Sequence, residues 1–440
     1  MRCCPSLSAR KAPGARMSRR RIALIVIVVA LVLLALLLRV AMQPEHVTRL
    51  LLDRVGNALG LEITASGVGE YRLRGTPMLV LRDVVVREPG AAPVLQAKRI
   101  YLSLPWSTVR ARGSDLTVQR VELDSPQLDL SAYQRWVGKR PPSARRIPTL
   151  TDGLHISNGR IDNDSASGKG WRIDDINVEL PSLYPQRLAQ AQMCARYLDP
   201  PLTIPVDLAV ALSQPSAWVT GTATGFATRG RIAIERGDWR LPATVALSGP
   251  LLLGSNDLRI TPARLGMAAR FESGKTTLLF TLGLHGPLHV DAATWTLAPV
   301  GVALRGQGLI PTLDARGAFA LGRRLVLQLD GRLAQWPETW PTLPAPIGQS
   351  TSALPFALRY IGKPDLSEVA TLHLQRDATF FDGRFRLPDV IAWIGADPAS
   401  PLPPLDGRVT TPRLEISGAQ LEGVEITLDD PALPDDDARP

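Results

Sequence analysis

Cysteine is scarce in this chain, and only one cysteine lies far from the N-terminus. The 440 residues include three cysteines, Cys3, Cys4 and Cys194. Met17 is an alternative start, because "MSRRRIALIVIVV" is a more usual beginning for a bacterial membrane protein than "MRCCPSLSAR". If Met17 is the start, only Cys194 remains. A single thiol excludes a disulfide framework and a cysteine metal cluster, and so low a content suits an oxidising compartment.

The chain also lacks the motifs that organise catalytic and metal sites. No G-x-S-x-G elbow and no acidic metal-binding loop occur, and "IDNDS" at 161–165 is typical of a turn beside Gly159. His285 and His289 in "HGPLH" are four residues apart, but Gly286 and Pro287 prevent the helix that would bring them together. We therefore predict no enzymatic activity, no catalytic residue, no cofactor and no metal.

One segment resembles a nucleotide-binding loop without meeting its requirements. "ESGKTTLL" at 272–279 has Ala269 where the phosphate loop needs its first glycine. It lies between strand-like runs, so no helix N-terminus is available to bind phosphate. A hairpin turn at Glu272–Lys275 is the better interpretation, and we predict no nucleotide ligand.

Acidic residues are absent from the first 21 positions, which makes the charge of the chain uneven. The net charge is +9, and seven Lys/Arg lie in 1–21, which leaves 43 Lys/Arg against 41 Asp/Glu in the remainder. The high isoelectric point therefore comes mostly from the N-terminus. A body so close to neutral gives no support for nucleic-acid binding.

A long apolar run follows this basic segment. Residues 22–38, "IALIVIVVALVLLALLL", would span roughly 25 Å as a helix, and 39–42 extend it if Arg39 snorkels. No small-x-small cleavage site follows, so we predict an uncleaved signal anchor at 22–42. The arginines at 19–21 keep residues 1–21 in the cytoplasm. The predicted location is the bacterial inner membrane, single-pass, with the bulk of the chain in the periplasm.

Helical periodicity is nearly absent from residue 61 onward. Short alternating apolar runs recur between turn residues, which predicts a mainly β protein with an antiparallel sheet, since the helices that connect parallel strands are not seen. The exceptions are a short capping helix at 43–60 and a helix at 185–198. The predicted strands include 205–213, 244–249, 276–286, 324–333, 356–362 and 370–377.

Composition divides the exported part further. We predict a β module at 61–131, a basic Pro-containing linker at 132–152, a continuing β-sheet at 153–333 and a Pro-rich excursion at 334–355. C-terminal strands at 356–428 and an acidic, disordered tail at 429–440 complete the chain.

Several strands share an irregular spacing of apolar residues. In "LRDVVV", Leu81 is followed by Val84 and Val86, so the alternation slips by one residue. The same spacing occurs in "AKRIYL" (97–102), "VQRVEL" (118–123), "IDDINV" (173–178) and "LEGVEI" (421–426). A β-bulge produces this slip, because two residues on one strand then face one on its neighbour while one apolar face is kept. Repeated bulges at one level would curl the sheet.

The order of these features resembles the AsmA family of envelope proteins. A membrane helix is followed by an apolar strand ending in an Asp-Val pair (81–86), by "LQAKRIYLSL" (95–104) and by "VQRVELDSPQLDL" (118–130). Segments 154–180 and 403–428 are similar to later units of AsmA-like proteins. The resemblance is good over 17–180, weak over 181–400 and fair at the end, and the chain is shorter than many members.

The resemblance implies an elongated, curled antiparallel sheet that forms an open groove and guides phospholipid acyl chains in outer-membrane lipid homeostasis. Membrane lipids and envelope proteins are the implied partners. The same apolar side chains could instead fill a closed sandwich, and the alternative function is a structural or assembly scaffold of an envelope or secretion complex. The groove-lining candidates are Leu81, Val84, Val86, Ile100, Leu102, Leu104, Val121, Leu123, Ile176 and Val178.

Overall fold

A computed structural model describes the chain from residue 52 to residue 433 with short gaps. The gaps are 55, 58, 67–69, 73–75, 112–114, 141–145, 164–169, 255–256, 292–293, 341–346, 351, 396–402 and 417–418. No helix among the described residues is long and apolar enough to cross a membrane. The predicted signal anchor at 22–42 and the predicted tail beyond 433 lie outside the described residues.

Most described residues belong to strands. The first strands are β1 (Glu62–Ala65), β2 (Glu70–Arg72), β3 (Met78–Arg87), β4 (Pro93–Ser103), β5 (Thr117–Val118), β6 (Arg120–Asp124), β7 (Gln127–Asp129), β8 (Thr149–Leu150), β9 (Leu154–Asn163), β10 (Trp171–Leu180), β11 (Ala189–Asp199) and β12 (Leu202–Leu212). The later strands are β13 (Thr224–Arg236), β14 (Trp239–Leu253), β15 (Asp257–Ser273), β16 (Thr276–Asp291), β17 (Thr294–Gly306), β18 (Leu313–Leu321), β19 (Leu325–Leu333), β20 (Leu354–Gly362), β21 (Val369–Arg376), β22 (Thr379–Arg386), β23 (Leu405–Ile416) and β24 (Ala419–Leu428).

Helices are few and short. They are α1 (Trp106–Arg110), α2 (Leu130–Gly138), α3 (Ala217–Thr220) and α4 (Leu387–Gly395), with a 3₁₀ turn at Ile347–Gln349. Residues between 52 and 59 are also helical wherever they are described.

One 22-stranded sheet contains nearly all the strands, and its order mostly follows the chain. From β9 to β24 every strand pairs antiparallel with the next. At the other edge β1 and β2 pair with β3, β3 pairs with β4, and β4 pairs with β6 and β7. Within the described part of the chain β24 pairs only with β23, so the sheet does not close on itself.

The prediction of a purely antiparallel sheet is wrong at one step. Strands β6 and β7 pair with β9 in parallel, and β5 pairs with β8 in parallel in a separate two-stranded sheet. A parallel step needs a crossover, and α2 lies in it. Part of the predicted linker at 132–152 is therefore helical. Asp129 starts this helix, because its carboxylate accepts a hydrogen bond from Ala132 N at 2.8 Å.

The helix predicted at 185–198 is also wrong, since residues 189–199 form β11. Along β11 the odd-numbered side chains from Ala189 to Tyr197 are buried or half-buried, whereas Gln190 to Arg196 alternate with them and are exposed. This period of two is a strand signal, but the high helix propensity of Ala, Gln, Met and Arg hides it. Pairing with β10 and β12 overrides that propensity.

The apolar spacing marks a backbone irregularity in "LRDVVV", "IDDINV" and "LEGVEI", but the predicted β-bulge forms only in "IDDINV". Asp83, Asp175 and Gly423 hold the same position in their motifs and have φ of 47°, 55° and 63°. In β10, Asp175 and Ile176 together face one residue of β11, which is a β-bulge. At Asp83 and Gly423 one residue on each strand leaves the pairing instead, so the strand bends without an inserted residue.

The other two motifs differ from the prediction. In "AKRIYL" no residue has a left-handed conformation. Its irregularity is at Lys98, which lies opposite Asp83 and, like Asp83, has no partner in the pairing of β3 with β4. In "VQRVEL" the irregularity is a break, since Gln119 separates β5 from β6.

Two lines of irregular residues bend the sheet. The N-terminal crease consists of Asp83, Ser125, Asn158 and Asp175, which have positive φ in or beside neighbouring strands. The central crease consists of Pro250, Pro262, Pro287 and Pro299, one in each of β14–β17. The strand register shifts near each of these prolines. Proline has no N–H to donate, so it interrupts the ladder where it occurs.

The best-packed core lies along the central crease. It consists of Leu251, Ile260, Ala263, Leu288, Leu297 and Val300. Ile260 and Val300 are 2% and 1% exposed. We call the face of the sheet that carries this core the inner face, and its opposite the outer face.

Candidate functional site

A row of apolar side chains crosses the inner face from strand to strand. Each member is the direct cross-strand partner of the next, from β3 to β20. We call this set the apolar row: Leu81, Ile100, Leu123, Ile156, Val178, Met193, Leu208, Gly230, Val245, Met267, Leu282, Leu304, Leu313, Leu333 and Leu354. Gly230 has no side chain and contributes only its backbone to the row. At roughly 4.8 Å per strand spacing, the row is about 65 Å long.

Most of the apolar row is only partly covered by other protein atoms. Its members from Ile100 to Leu313 are half-buried, whereas Leu81, Leu333 and Leu354 at its two ends are buried. In a closed sandwich the facing sheet would bury such residues throughout. The middle of the inner face is therefore apolar and partly exposed.

A second row runs beside the first and extends further. It leads from Ala191 in β11 through Leu247, Leu265 and Leu284 and reaches Ile426 in β24. Thr228 is its polar member. The apolar face thus continues to the last strand described.

The outer face carries charges at the neighbouring positions. Arg231 and Asp207 form an ion pair at 2.8 Å, Arg305 and Asp314 at 2.7 Å, and Arg408 and Glu425 at 3.1 Å. The side chains of these pairs are between 48% and 79% exposed. Such pairs add little stability individually, but they give the sheet one polar and one apolar face.

A cysteine and an aspartate on the outer face have shifted pKa values. Cys194 Sγ lies 3.6 Å from Asp207 Oδ1. Burial and the nearby carboxylate raise the pKa of the Cys194 thiol, while the hydrogen bond from Arg231 lowers the pKa of Asp207. The thiol is consequently less reactive than its exposure suggests.

The predicted lining residues occupy different positions within the inner face. Leu81, Ile100, Leu123 and Val178 belong to the apolar row, and Leu102 and Val121 face each other in the neighbouring positions. Ile176 lies at the N-terminal crease opposite Gly159, Val86 faces Leu95, and Leu104 follows the end of β4.

Two of the predicted lining residues are covered by the chain itself. Leu81 is 6% exposed and Val84 is 2% exposed, because Leu52 packs against both of them. The helical residues between 52 and 59 therefore cover the inner face at its first strands. The predicted open groove begins beyond them.

The other end of the apolar row is also covered. Trp336, in the loop after β19, packs against the buried side chains of Leu333, Leu354 and Phe356. Arg376 donates to the carbonyls of Ser350 and Ser352, at 3.2 Å and 2.8 Å, which fixes the described part of this loop to β21. The loop coincides with the predicted Pro-rich excursion at 334–355.

Sequence reasoning did not include the central part of the apolar row among the site residues. Met193, Val245, Met267, Leu282 and Leu304 lie in the region where the resemblance to AsmA is weak. The available signal was their alternation with exposed residues, which the burial patterns of β11 and β14–β17 now show. Alternation identifies a face of a sheet but not what covers that face.

The segment that resembles a nucleotide-binding loop is a turn between two strands. Ser273 pairs with Thr276 at the end of β15 and the start of β16, which confirms the hairpin turn at Glu272–Lys275. Within the described ranges no group of three or more His, Cys, Asp or Glu side chains could hold a metal ion.

Comparisons of the chain with protein-family models, with curated proteins and with solved structures found no match.

Proposed function

We propose that this protein is a membrane-anchored envelope protein of the AsmA type whose inner face binds or guides phospholipid acyl chains. The observation that supports it most is the apolar row, which is continuous across the sheet and partly exposed along most of its length. A row of this kind offers acyl chains an environment with little water. No nucleotide, cofactor or nucleic acid takes part in this proposal.

The energetics suit a ligand that moves along the sheet. Burying one methylene group is worth about 0.8 kcal/mol, so a chain of several methylenes binds without any polar contact. Neighbouring positions in the row are chemically alike, as with Val245, Met267 and Leu282. No single position therefore holds a bound chain in a deep energy minimum, and the chain can shift from one strand to the next.

The proposed location follows from the sequence. The apolar run at 22–38 and the arginines at 19–21 support an anchor in the bacterial inner membrane, with the sheet in the periplasm. The anchor, the short helix and the first bent strands occur in the order found in the AsmA family. Together they support a role in outer-membrane lipid homeostasis.

A scaffold for an envelope or secretion complex is the second candidate. The observation in its favour is the core along the central crease, where the protein's own side chains bury Ile260 and Val300. If the remaining inner face were covered by a partner protein, the apolar row would be an interface rather than a lipid path.

A crosslinking experiment separates the two candidates. A photo-crosslinking amino acid is placed at Met267 in the apolar row, or at Ala268, which is exposed on the outer face. The full chain is irradiated in cells and extracted in detergent, and adducts are identified by mass spectrometry. Phospholipid adducts at 267 and few at 268 are expected. Protein adducts at 267 without lipid would favour the scaffold.

Charge placed in the row tests the same function without crosslinking. We expect Leu282→Asp to reduce the phospholipid that co-purifies with the protein, because an ionised carboxylate in an apolar path opposes acyl-chain burial. Thr281→Asp changes the adjacent, exposed outer-face residue and is the matched control. Equal lipid content in the two variants would contradict the proposal, provided that circular dichroism shows both to be folded.

A further inference from the structure

Several exposed apolar side chains lie at one end of the sheet. We call this end, where β4, β10 and β12 finish, the rim end, and the opposite end the turn end. The turn end carries the tight turns that join β11 to β12, β13 to β14 and β15 to β16. The rim end carries α1 and α3, and Trp106, Leu188 and Trp218 are 40%, 57% and 56% exposed there.

These side chains belong to one connected substructure. Strands β5 and β8 pair in parallel, and Leu150 in β8 bridges to Leu183 in the loop before β11. Ser216 N, just before α3, donates to Pro185 O in that same loop at 2.8 Å. Thr108 Oγ1 in α1 donates to Thr117 O in β5 at 2.6 Å.

Basic side chains lie among the exposed apolar ones. Arg110, Arg146 and Arg187 are all exposed, and none of them forms an ion pair with a carboxylate among the described residues. We call the combined set the rim patch: Trp106, Arg110, Leu116, Arg146, Arg187, Leu188 and Trp218.

Arg146 also borders a cleft. The cleft has a volume of about 340 Å³, and its lining includes Leu116, Ile147, Pro185 and Val219. The nearby carboxylate of Asp115 accepts hydrogen bonds from Thr117 N and Thr117 Oγ1, which lower its pKa. Asp115 is thus held by hydroxyl and amide donors, and the guanidinium of Arg146 remains available to a ligand.

The first helical residues of the described chain have a defined direction along β3. Leu52 contacts the middle of β3, and the helical residues that follow run toward the turn end, where Trp136 Nε1 donates to Leu59 O at 3.1 Å. The direction from 52 to 60 therefore leads from the middle of β3 to the turn end. Residues 43–51 span at most about 30 Å, so the predicted anchor at 22–42 keeps this part of the sheet near the membrane.

We propose that the rim patch is a docking surface for an anionic phospholipid bilayer. Tryptophan is favoured at the interface between lipid and water, and arginine binds lipid phosphate, so both kinds of side chain in the patch match a membrane surface. A protein partner would also bury tryptophan, but exposed arginines without carboxylate partners and the short tether to the predicted anchor favour lipid. This inference uses the proposed membrane anchor and is independent of acyl chains in the groove.

The test uses the full chain in lipid nanodiscs. Cys3, Cys4 and Cys194 are changed to serine, and a single cysteine at Leu188 or at Lys275 carries an environment-sensitive fluorophore. Lys275 lies in the turn between β15 and β16 and serves as the control at the turn end. In nanodiscs containing phosphatidylglycerol, spin-labelled lipid is expected to quench the label at 188 and to leave the label at 275 unaffected.

The arginines are tested in the same system. Changing Arg110, Arg146 and Arg187 to glutamine is expected to lower the ratio of docked to undocked protein by about fivefold for each charge. The control triple changes the exposed outer-face residues Arg229, Arg264 and Arg316 to glutamine, and no loss of quenching is expected.

The outcomes separate this inference from the proposed function. Equal quenching at 188 and 275 would overturn the docking surface, and so would quenching at 188 that is the same in both triple variants. A label at 188 that becomes buried in native membranes but not in nanodiscs would indicate a protein partner instead. Lipid adducts at Met267 without quenching at 188 would leave the groove function standing and remove only the docking surface.

Discussion

At the scale of single residues, backbone conformation decides where the strands bend. Asp83 and Asp175 adopt a left-handed conformation that most residues avoid, at a cost of roughly 1–2 kcal/mol each. Asp is found in this region more often than most residues, and the Asp83 carboxylate accepts a hydrogen bond from the distant Ser66 Oγ at 3.3 Å. The spacing in "LRDVVV" predicted an irregularity here. It did not show that only three of the five motifs would contain a left-handed residue.

The bend at Asp83 gives a stability prediction. Asp83→Val is expected to be about 1–2 kcal/mol less stable than Asp83→Gly, because a β-branched residue is disfavoured at a φ of 47° and glycine is not. The urea midpoints of the full chain in detergent measure the difference. Lys98→Val, which changes the exposed residue opposite on β4, is the control and should behave like the unchanged protein. Equal midpoints for all three variants would contradict the left-handed conformation of Asp83.

Cys194 gives a prediction about pH. Because its pKa is raised, the thiolate fraction at pH 8 is lower than in a free cysteine, so alkylation by iodoacetamide should be slower. As the pH rises through the raised pKa, the rate should increase to that of an exposed thiol. Asp207→Asn removes the neighbouring negative charge and should speed the reaction at pH 8. A slower reaction in this variant would contradict the role of Asp207; Cys3 and Cys4 are changed to serine throughout.

At the scale of elements, strand identity was more predictable than strand environment. The alternating runs at 205–213, 276–286 and 324–333 correspond to β12, β16 and β19. The predicted helix at 185–198 failed because residues with high helix propensity occupy a strand whose two neighbours determine its conformation. The parallel step through α2 was missed because the nine residues of this helix are too few for a strong periodic signal.

The central crease depends on close approach between two strands. A Cβ built at Gly286 would lie 2.3 Å from Pro299 O, whereas a Cβ at Gly266 would meet nothing within 4 Å. We expect Gly286→Ala to lower the free energy of unfolding by about 1–3 kcal/mol through overpacking. Gly266→Ala, at an exposed position of β15, should raise it by about 0.4–1 kcal/mol. Denaturant unfolding of the full chain checks both, and a harmless Gly286→Ala would mean that β16 and β17 lie further apart.

At the scale of the whole molecule, the sheet is a stack in which most strands touch only their sequence neighbours. Stability in such a stack is local, as in repeat proteins, and the ends open more readily than the middle. The fold class was accessible from sequence because alternation repeats along the chain. Whether the inner face is open could not be read from it, since coverage by Leu52 and by Trp336 depends on contacts between distant segments.

Hydrogen exchange measures this gradient. We expect the amides of β15 and β16 near Ile260 and Leu288 to exchange most slowly, because they surround the best-packed core. The amides of β24, which has one paired edge and mostly exposed side chains, should exchange fastest among the strands. Mass spectrometry of the full chain in detergent gives both rates. Uniform protection across the sheet would show that the molecule unfolds as a single unit.

The pairing of each strand from β9 to β24 with the next one in the chain has a consequence for how such a protein can evolve. Duplication of one hairpin would insert two strands into the ladder, lengthen the inner face by about 10 Å and leave every other connection unchanged. Loss of a hairpin would shorten it by the same step. Gain or loss of hairpins can therefore change the length of the inner face in steps of two strands, without changing the segments at the N-terminus.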